Sequence, residues 1–249
     1  MTQAGRFTGS TIVVTGAAHG IGAATAHRFA ADGASVVLLD IDDAVREVAA
    51  AIARDGGRAV AVTGSVAEEE AWARAVAAAD GPVGVLVANA YAKEVTAAHT
   101  MTRASWERQL TVNLTGTFLG VQACLPGLRE TRGSIVVTSS VHALVGLPGH
   151  PAYAATKGGL TALTRQLAVE YGPDVRVNCV LPGPIMTAAW DGVSEEDRAR
   201  SVEQTVAGRF GRPEEVAAVI AFLASADAAY VTGVSLPVDG GWTVYKTSS

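Results

Sequence analysis

The feature that most constrains the fold is a repeated alternation between short β-branched runs and longer alanine-rich stretches of helical period. It predicts strands at 11–15, 35–40, 58–63, 83–89, 133–140, 175–181 and 234–238. It predicts helices at about 22–33, 42–55, 67–79, 103–128, 152–171 and 213–225. The first six strands are almost continuous in Val, Ile and Leu, which is typical of strands covered by helices on both faces.

This order predicts one α/β domain over residues 1–249, built on a doubly wound, seven-stranded parallel sheet. No linker, low-complexity tract or internal repeat interrupts the pattern. Ligands of such sheets bind beyond the carboxyl ends of the strands. The residues that follow each strand are therefore the candidates for function.

Composition narrows the class of protein further. The net charge is −5, and the arginines are scattered rather than clustered, so nucleic acid is not expected as a partner. The first ten residues lack the apolar region of a signal peptide, and the longest apolar run, at 216–224, is too short to span a bilayer. We expect a cytoplasmic protein that does not enter a membrane. Cys124 and Cys179 lie in apolar surroundings, which predicts buried free thiols and no metal site.

A glycine-rich segment, TGAAHGIG at 15–22, follows the first strand. Gly16, Gly20 and Gly22 would let backbone N–H groups and a helix N-terminus approach a pyrophosphate without obstruction by Cβ atoms. With 27 glycines in the chain, such a triplet alone is weak support. Its position between a strand and a helix makes a dinucleotide site the better interpretation.

Asp40 ends the second predicted strand, 18 residues after the last glycine of this loop. A carboxylate there can accept hydrogen bonds from both hydroxyls of an adenosine ribose, and it would repel a 2′-phosphate. Ile41 follows it and His19 lies in the loop, so no permanent cation is offered to NADP. NAD is favoured over NADP. The alternative is that Asp40 caps the next helix, although Asp42 and Asp43 could serve that purpose.

Tyr153 and Lys157 are four residues apart and would share one face near a helix start. A free phenol has a pKa near 10, and a neighbouring ammonium favours the phenolate. Lowering that pKa to neutrality needs about 4 kcal/mol, more than one screened ammonium is expected to supply. An oxidised nicotinamide would provide a second positive charge.

Ser140 and Asn113 complete the candidate constellation. Ser140 ends the fifth strand, and Asn113 is a helix-unfriendly residue between apolar neighbours in the long predicted helix. Each also has an ordinary interpretation: Ser140 as a strand-end hydroxyl, Asn113 as a helix kink, and the Tyr153–Lys157 pair as one face of an amphipathic helix. Their joint placement favours catalysis.

Together these motifs resemble the short-chain dehydrogenase/reductase family over essentially the whole chain. The resemblance is carried by TGAAHGIG, ANA at 88–90, Asn113, Ser140, YAATK at 153–157, PGPIMT at 182–187 and VTGVSLPVDGGW at 231–242. The serine-to-tyrosine interval of 13 residues also suits the family.

The resemblance implies a Rossmann fold and roles for individual residues. Tyr153 would be the general acid/base, and Lys157 would hold the nicotinamide ribose and lower the phenol pKa. Ser140 would orient the substrate oxygen, and Asn113 would keep a water in the proton path. The cofactor-binding residues it implies are Gly16, His19, Gly20, Ile21, Gly22, Asp40, Ile41, Ser65, Val66, Asn89, Ala90, Tyr153, Lys157, Pro182, Gly183, Ile185 and Thr187.

The sequence departs from the family pattern at two places. Gly64 and Ser65 precede Val66 where an aspartate commonly binds adenine, so that side-chain contact is not expected. Tyr91 stands where the pattern usually has glycine. Its ring either narrows the substrate site or turns outward onto the long helix, and we favour the first.

Candidate substrate contacts follow the fifth and sixth strands as well as the fourth. They are Tyr91, Ser140, His142, His150, Tyr153 and Trp190. Residues 186–210 are expected to form a substrate lid, with Trp190 as a pocket wall or as a staple between lid and body. These polar groups, together with Asp191, favour a hydroxylated substrate.

The expected function is NAD-dependent interconversion of a secondary alcohol and a ketone on a sugar, polyol or hydroxy acid. One alternative is a 3-oxoacyl-[acyl-carrier-protein] reductase that uses NADPH, and another is a non-catalytic nucleotide-sensing relative. The resemblance also implies a homotetramer, or a homodimer.

Overall fold

Seven strands form the centre of the molecule. The structure is a computed structural model that describes residues 5–245, so the first four and last four residues of the predicted domain lie outside it. The strands are β1 Thr11–Thr15, β2 Ser35–Asp40, β3 Arg58–Thr63, β4 Val83–Ala88, β5 Ser134–Thr138, β6 Arg176–Pro182 and β7 Ser235–Val238. They form one sheet in the order β3-β2-β1-β4-β5-β6-β7, and every neighbouring pair is parallel. The predicted doubly wound fold is confirmed.

Helices cover both faces of this sheet. They are α1 Gly20–Ala31, α2 Val45–Arg54, α3 Glu69–Ala77, α4 Arg103–Leu110, α5 Gly116–Glu130, α6 Pro151–Tyr171, α7 Glu195–Glu203 and α8 Pro213–Ala224. In β1, Ile12 and Val14 belong to one buried apolar cluster and Val13 to the other. Because successive strand side chains point to opposite faces, a continuous apolar run serves two cores at once.

The edge strand β3 departs from the prediction that the first six strands are covered on both faces. Arg58 and Val60 are exposed, because β3 has a neighbour on one side only and receives less cover from the helices. The central strands β1 and β5 are buried at every residue. The apolar pattern therefore overstates burial at the sheet edge.

The predicted helix at 103–128 is divided in the structure. A π-helical turn, Thr111–Thr115, separates α4 from α5, and Asn113 lies at its centre. A π turn frees backbone and side-chain groups from the regular helical ladder, and such turns are frequent at functional sites.

Helix α2 begins at Val45, three residues after the predicted start near Asp42. Asp42 N–H donates to the Asp40 carboxylate at 3.0 Å, and Ala44 N–H donates to the Asp42 carboxylate at 2.9 Å. These two side-chain turns keep the backbone out of the helix until Val45.

Other sequence expectations concern cysteine and the membrane. Cys124 and Cys179 are buried free thiols, and burial raises their pKa to about 12 and about 11 respectively. Among residues 5–245, no helix combines the length and the apolar character needed to cross a bilayer.

Candidate active site

A cavity of about 910 Å³ opens at the carboxyl edge of the sheet, where the strand order reverses between β1 and β4. Its wall is made by the segments that follow the strands β1 to β7. Thr15 connects the two sides of the reversal, since its hydroxyl accepts from the N–H groups of Asn89 and Ala90 at 2.9 and 3.0 Å. The fold thus brings together residues that are distant in sequence.

The glycine loop forms one wall. Gly16 and Gly20 have φ of 63° and 52°, a conformation that favours glycine. A Cβ at Gly16 would lie 2.9 Å from the side chain of Asn89. Helix α1 begins at Gly20, and His19 at its N-cap makes no side-chain cap hydrogen bond. The N-terminus of α1 therefore faces the cavity with backbone donors that suit a pyrophosphate.

Gly22 differs from the other predicted loop residues because it does not line the cavity. A Cβ at this position would lie 1.9 Å from the carbonyl oxygen of Gly16. Gly22 therefore permits close packing of α1 against the loop behind the site, and its contact with a cofactor stays a prediction.

Asp40 lies at the end of β2 with a fixed carboxylate. One oxygen accepts from Ala18 N–H at 2.9 Å and the other from Asp42 N–H at 3.0 Å. A carboxylate oxygen has a second lone pair, so both oxygens can still accept from ribose hydroxyls. Asp40 and Ile41 line the cavity, and His19, which also lines it, pairs with Asp42 at 2.9 Å.

The segment after β3 lacks the acidic side chain that commonly meets adenine. Gly64, Ser65 and Val66 nonetheless line the cavity. The Ser65 hydroxyl accepts from Ala67 N–H at 3.2 Å. This part of the wall can therefore supply backbone groups and the Val66 side chain to a base.

Lys157 lies beneath Tyr153 on α6. The Lys157 side chain is 1% exposed, and its Nζ donates to the Thr138 carbonyl at 2.8 Å. The same Nζ lies 5.4 Å from the centroid of the Tyr153 ring. The i, i+4 spacing thus places an ammonium against the phenol, and both residues line the same cavity as the glycine loop.

The ionisation of this pair differs from the sequence expectation. Burial raises the pKa of Tyr153, the nearby Tyr91 raises it further, and a hydrogen bond with Ser140 opposes this. Burial also lowers the pKa of Lys157 to about 8. Desolvation therefore dominates the pKa of the phenol, which lies above its usual value although an ammonium is close by.

Ser140 follows β5 and begins a single 3₁₀ turn, Val141–Ala143. Its hydroxyl accepts from His142 N–H at 3.3 Å and is 7% exposed as a residue. Ser139, directly before it, donates its hydroxyl to the Lys157 carbonyl at 2.7 Å. Ser139 thus fixes the end of β5 against α6, and Ser140 faces Tyr153, with which it shares a hydrogen bond.

Asn113 lies outside the cavity wall and holds two of its walls together. Its amide oxygen accepts from Ala92 N–H at 2.7 Å, and its amide nitrogen donates to the Ala92 carbonyl at 3.0 Å and to the Thr156 hydroxyl at 2.9 Å. Its own carbonyl accepts from the Thr117 hydroxyl at 2.9 Å. In the described contacts Asn113 is a positioning residue, between the loop after β4 and α6.

Three aromatic rings surround Tyr153 on the substrate side. The ring centroids of Tyr91, His142 and His150 lie 6.0, 5.1 and 6.3 Å from that of Tyr153. Burial lowers the pKa of His142 to about 4, and the nearby positive groups act in the same direction. The Nδ1 atom of His142 is buried without a hydrogen-bond partner among the described residues. A neutral imidazole is therefore available to a substrate hydroxyl.

The segment after β6 leaves the body and returns to it. Met186 N–H donates to the Gly211 carbonyl at 2.9 Å, which closes the base of residues 186–210. Trp190 lines the cavity and also packs edge-to-face on Phe210, with centroids 4.7 Å apart. Trp190 therefore forms part of the cavity wall, whereas its packing on Phe210 stays within residues 186–210 and does not join the lid to the body.

Apart from Gly22 and Asn113, the predicted site residues line this single cavity, including Pro182, Gly183, Ile185 and Thr187. Asp191 does not line it. Sequence reasoning missed Lys93, Arg108 and Trp242. The scarcity of lysine, three in 249 residues, was an available signal for Lys93. Trp242 reaches the site because its indole N–H donates to Gln204 at 3.1 Å, a contact between distant segments.

Comparisons with known proteins agree with this geometry. Residues 16–243 match the family model described as enoyl-(acyl carrier protein) reductase. The 2-(S)-hydroxypropyl-CoM dehydrogenase 3 of Xanthobacter autotrophicus is 38% identical, and the match covers 96% of this chain and 98% of that protein.

Two solved structures are similar over the same extent, each with a TM-score of 0.90. One is a putative NAD(P)-dependent gluconate 5-dehydrogenase from Beutenbergia cavernae with bound NADP at low occupancy, 37% identical, covering 96% of this chain and 98% of that one. The other is a 3-oxoacyl-[acyl-carrier protein] reductase from Brucella melitensis with bound NAD, 34% identical, covering 98% and 95%. The chain belongs to the short-chain dehydrogenase/reductase family.

Proposed function

We propose that the protein interconverts a secondary alcohol and a ketone with NAD, and that Tyr153 is its general acid/base. The observation that carries this is the position of the Tyr153 phenol, against the buried Lys157 ammonium and in the same cavity as the glycine loop. Bound NAD supplies the hydride acceptor for oxidation, and its reduced form supplies the hydride donor for reduction.

The residues of this chain would bind the cofactor and the substrate, orient them, and transfer the proton. Ser140 hydrogen-bonds the substrate oxygen beside Tyr153, and Tyr153 removes or returns the hydroxyl proton. Lys157 would stabilise the phenolate, and since burial raises the pKa of Tyr153, a second positive charge such as that of an oxidised nicotinamide would be needed beside it. Asn113 keeps the loop after β4 in register with α6.

The cofactor-binding residues proposed are those that line the cavity from the glycine loop to Thr187. NAD is favoured because the Asp40 carboxylate is fixed by two backbone N–H groups at the ribose position. Asp42 and Asp43 add negative charge there, and the basic side chains beside them are already engaged, His19 in a hydrogen bond with Asp42 and Arg46 in an ion pair with Asp43. A 2′-phosphate would meet unfavourable charge.

The proposed substrate is a sugar, a polyol or a hydroxy acid. Tyr91, His142, His150 and Trp190 would contact it, since they line the cavity around Tyr153 and Ser140. Residues 186–210 would act as the lid of the single domain. A similar structure named as a 3-oxoacyl-[acyl-carrier protein] reductase favours acyl reduction as a second candidate, and that structure holds NAD.

A homotetramer is proposed as the assembly. Phe118 on α5 and Val169 on α6 are exposed apolar side chains, 49% and 82% exposed, on helices that flank the site. Light scattering coupled to size-exclusion chromatography tests this, and a monomeric mass would contradict it.

The test of the function is a screen of secondary alcohols and their ketones with each cofactor, in which turnover is measured by the absorbance of the reduced nicotinamide. We expect turnover with NAD that exceeds turnover with NADP, and binding of NADH by the purified protein. Binding of NADH without turnover of any panel member would favour a non-catalytic sensor. Turnover of acyl thioesters with NADPH alone would favour the second candidate.

A further inference from the structure

The charges that line the cavity are unusual for this acidic protein. The chain has 24 acidic and 19 basic residues, yet Asp40 is the one acidic side chain among the described residues of the cavity wall. Lys93, Arg108 and Lys157 line the same wall. Asp40 follows β2 at the proposed ribose position, so the remainder of the cavity carries cations and no carboxylate. A cavity wall of one sign concentrates ligands of the opposite sign.

Lys93 has an acidic neighbour in sequence that does not neutralise it. Glu94 turns toward α4, where its carboxylate accepts from the Ser105 hydroxyl at 2.7 Å and from the Thr96 hydroxyl at 3.3 Å. No carboxylate of the described residues forms an ion pair with Lys93. The ammonium is therefore available to a ligand.

Arg108 is in the same situation on α4. Its sequence neighbour Glu107 pairs instead with Arg103, one helical turn earlier, at 2.6 Å. Within the part of the chain that the structure describes, Arg108 has no ion pair either. Two acids that could have cancelled the two cations are thus both directed to other partners.

Lys93 lies on the substrate side of the cavity. Thr96 N–H donates to the Gly149 carbonyl at 2.8 Å, which joins the loop of Lys93 to the loop that carries His142 and His150. The positive charge of Lys93 contributes to the lowered pKa of His142, whose ring packs edge-to-face against Tyr153. The pyrophosphate has its own donors in the glycine loop, so Lys93 is not needed for the cofactor.

We propose that Lys93 binds a carboxylate of the substrate, with Arg108 adding positive potential, so that the enzyme acts on hydroxy acids in preference to neutral polyols. This rests on the proposed function and narrows its substrate class. The carboxylate would accept hydrogen bonds from the ammonium while the reacting hydroxyl lies between Ser140 and Tyr153. A charge-assisted hydrogen bond at a partly exposed site corresponds to about a tenfold gain in affinity.

The test compares matched ligand pairs that differ in one carboxylate, such as gluconate with glucitol and 3-hydroxybutyrate with 1,3-butanediol. Their binding to the enzyme–NADH complex is followed by NADH fluorescence, and their kcat/KM with NAD is measured in parallel. The variants are Lys93→Met, the charge-preserving Lys93→Arg, and Arg54→Gln as a control that removes an exposed cation outside the cavity.

We expect the parent, Lys93→Arg and Arg54→Gln to bind the carboxylate member about tenfold more tightly than the neutral member of each pair. Lys93→Met should lose that preference and keep its affinity for NADH. Equal binding of both members by the parent, or a preference that survives Lys93→Met, would overturn the inference. Loss of NADH affinity in Lys93→Met would also overturn it, since the cation would then serve the cofactor. Lys93-dependent binding of the carboxylate member without turnover of either member would contradict the proposed function and leave only the carboxylate-binding role of Lys93. Turnover without a carboxylate preference would overturn the inference and leave the proposed function in place.

Discussion

Replacement of Asp40 by Ala is expected to reverse much of the cofactor preference. The side chain offers free lone pairs to two ribose hydroxyls, and hydrogen bonds to a charged group contribute about 1.5–3 kcal/mol each before discount for exposure. A total loss of about 2–3 kcal/mol corresponds to a fall of about 30- to 150-fold in kcat/KM for NAD. The kcat/KM for NADP should rise only modestly, because the negative charges of Asp42 and Asp43 remain. The ratio of the two kcat/KM values should fall about 100-fold or more.

Part of this change will come from the loop itself, since Asp40 also accepts from Ala18 and Asp42 N–H groups. Asp43→Ala is the matched control: it removes a carboxylate of the same loop that does not line the cavity. Initial rates with each cofactor, read at the absorbance of the reduced nicotinamide, give the ratio. If Asp40→Ala and Asp43→Ala change the ratio equally, or Asp40→Ala leaves it unchanged, the ribose argument is refuted.

Three further perturbations test other parts of the site. Gly22→Ala places a Cβ 1.9 Å from a backbone oxygen, so we expect the free energy of unfolding to fall by about 3 kcal/mol and NAD binding to weaken. Gly158→Ala is the control: its Cβ would lie in open space, so denaturant titrations should show unchanged or higher stability. Asn113→Ala removes three buried hydrogen bonds and should lower the Tm by about 6–12 °C together with kcat; an unchanged Tm would contradict the positioning role. His142 has its pKa lowered to about 4, so its neutral form prevails above that pH, and His142→Asn should change kcat/KM by the same factor at pH 5.5 and pH 8. A factor that differs between the two pH values would show that His142 titrates in that range.

The strands were predictable because burial on two faces leaves a strong local signal. All seven were found within two residues of their predicted bounds. The π turn at Thr111–Thr115 was not, since the amide of Asn113 makes its contacts with Ala92 and with Thr156, 43 residues away. Long-range contacts of this kind leave no local periodicity.

The candidate site was predictable as a set of positions and less so as a set of roles. The residues from Gly16 to Thr187 follow strand ends, and a parallel sheet gathers strand ends at one edge. Desolvation was not visible in the sequence: the four-residue spacing indicated that Lys157 would lower the Tyr153 pKa, and burial reversed that expectation. Trp242 was missed for a similar reason, since its contact with Gln204 depends on how two distant segments meet.

The most direct test of the central claim is the rate of hydride transfer in Tyr153→Phe, measured with NAD and the best substrate of the parent enzyme. The account predicts that kcat falls about 1000-fold, that NADH affinity stays within about threefold of the parent, and that Tyr230→Phe, which alters a fully exposed phenol, behaves as the parent. Parent-like turnover by Tyr153→Phe, with NADH still bound, would contradict it.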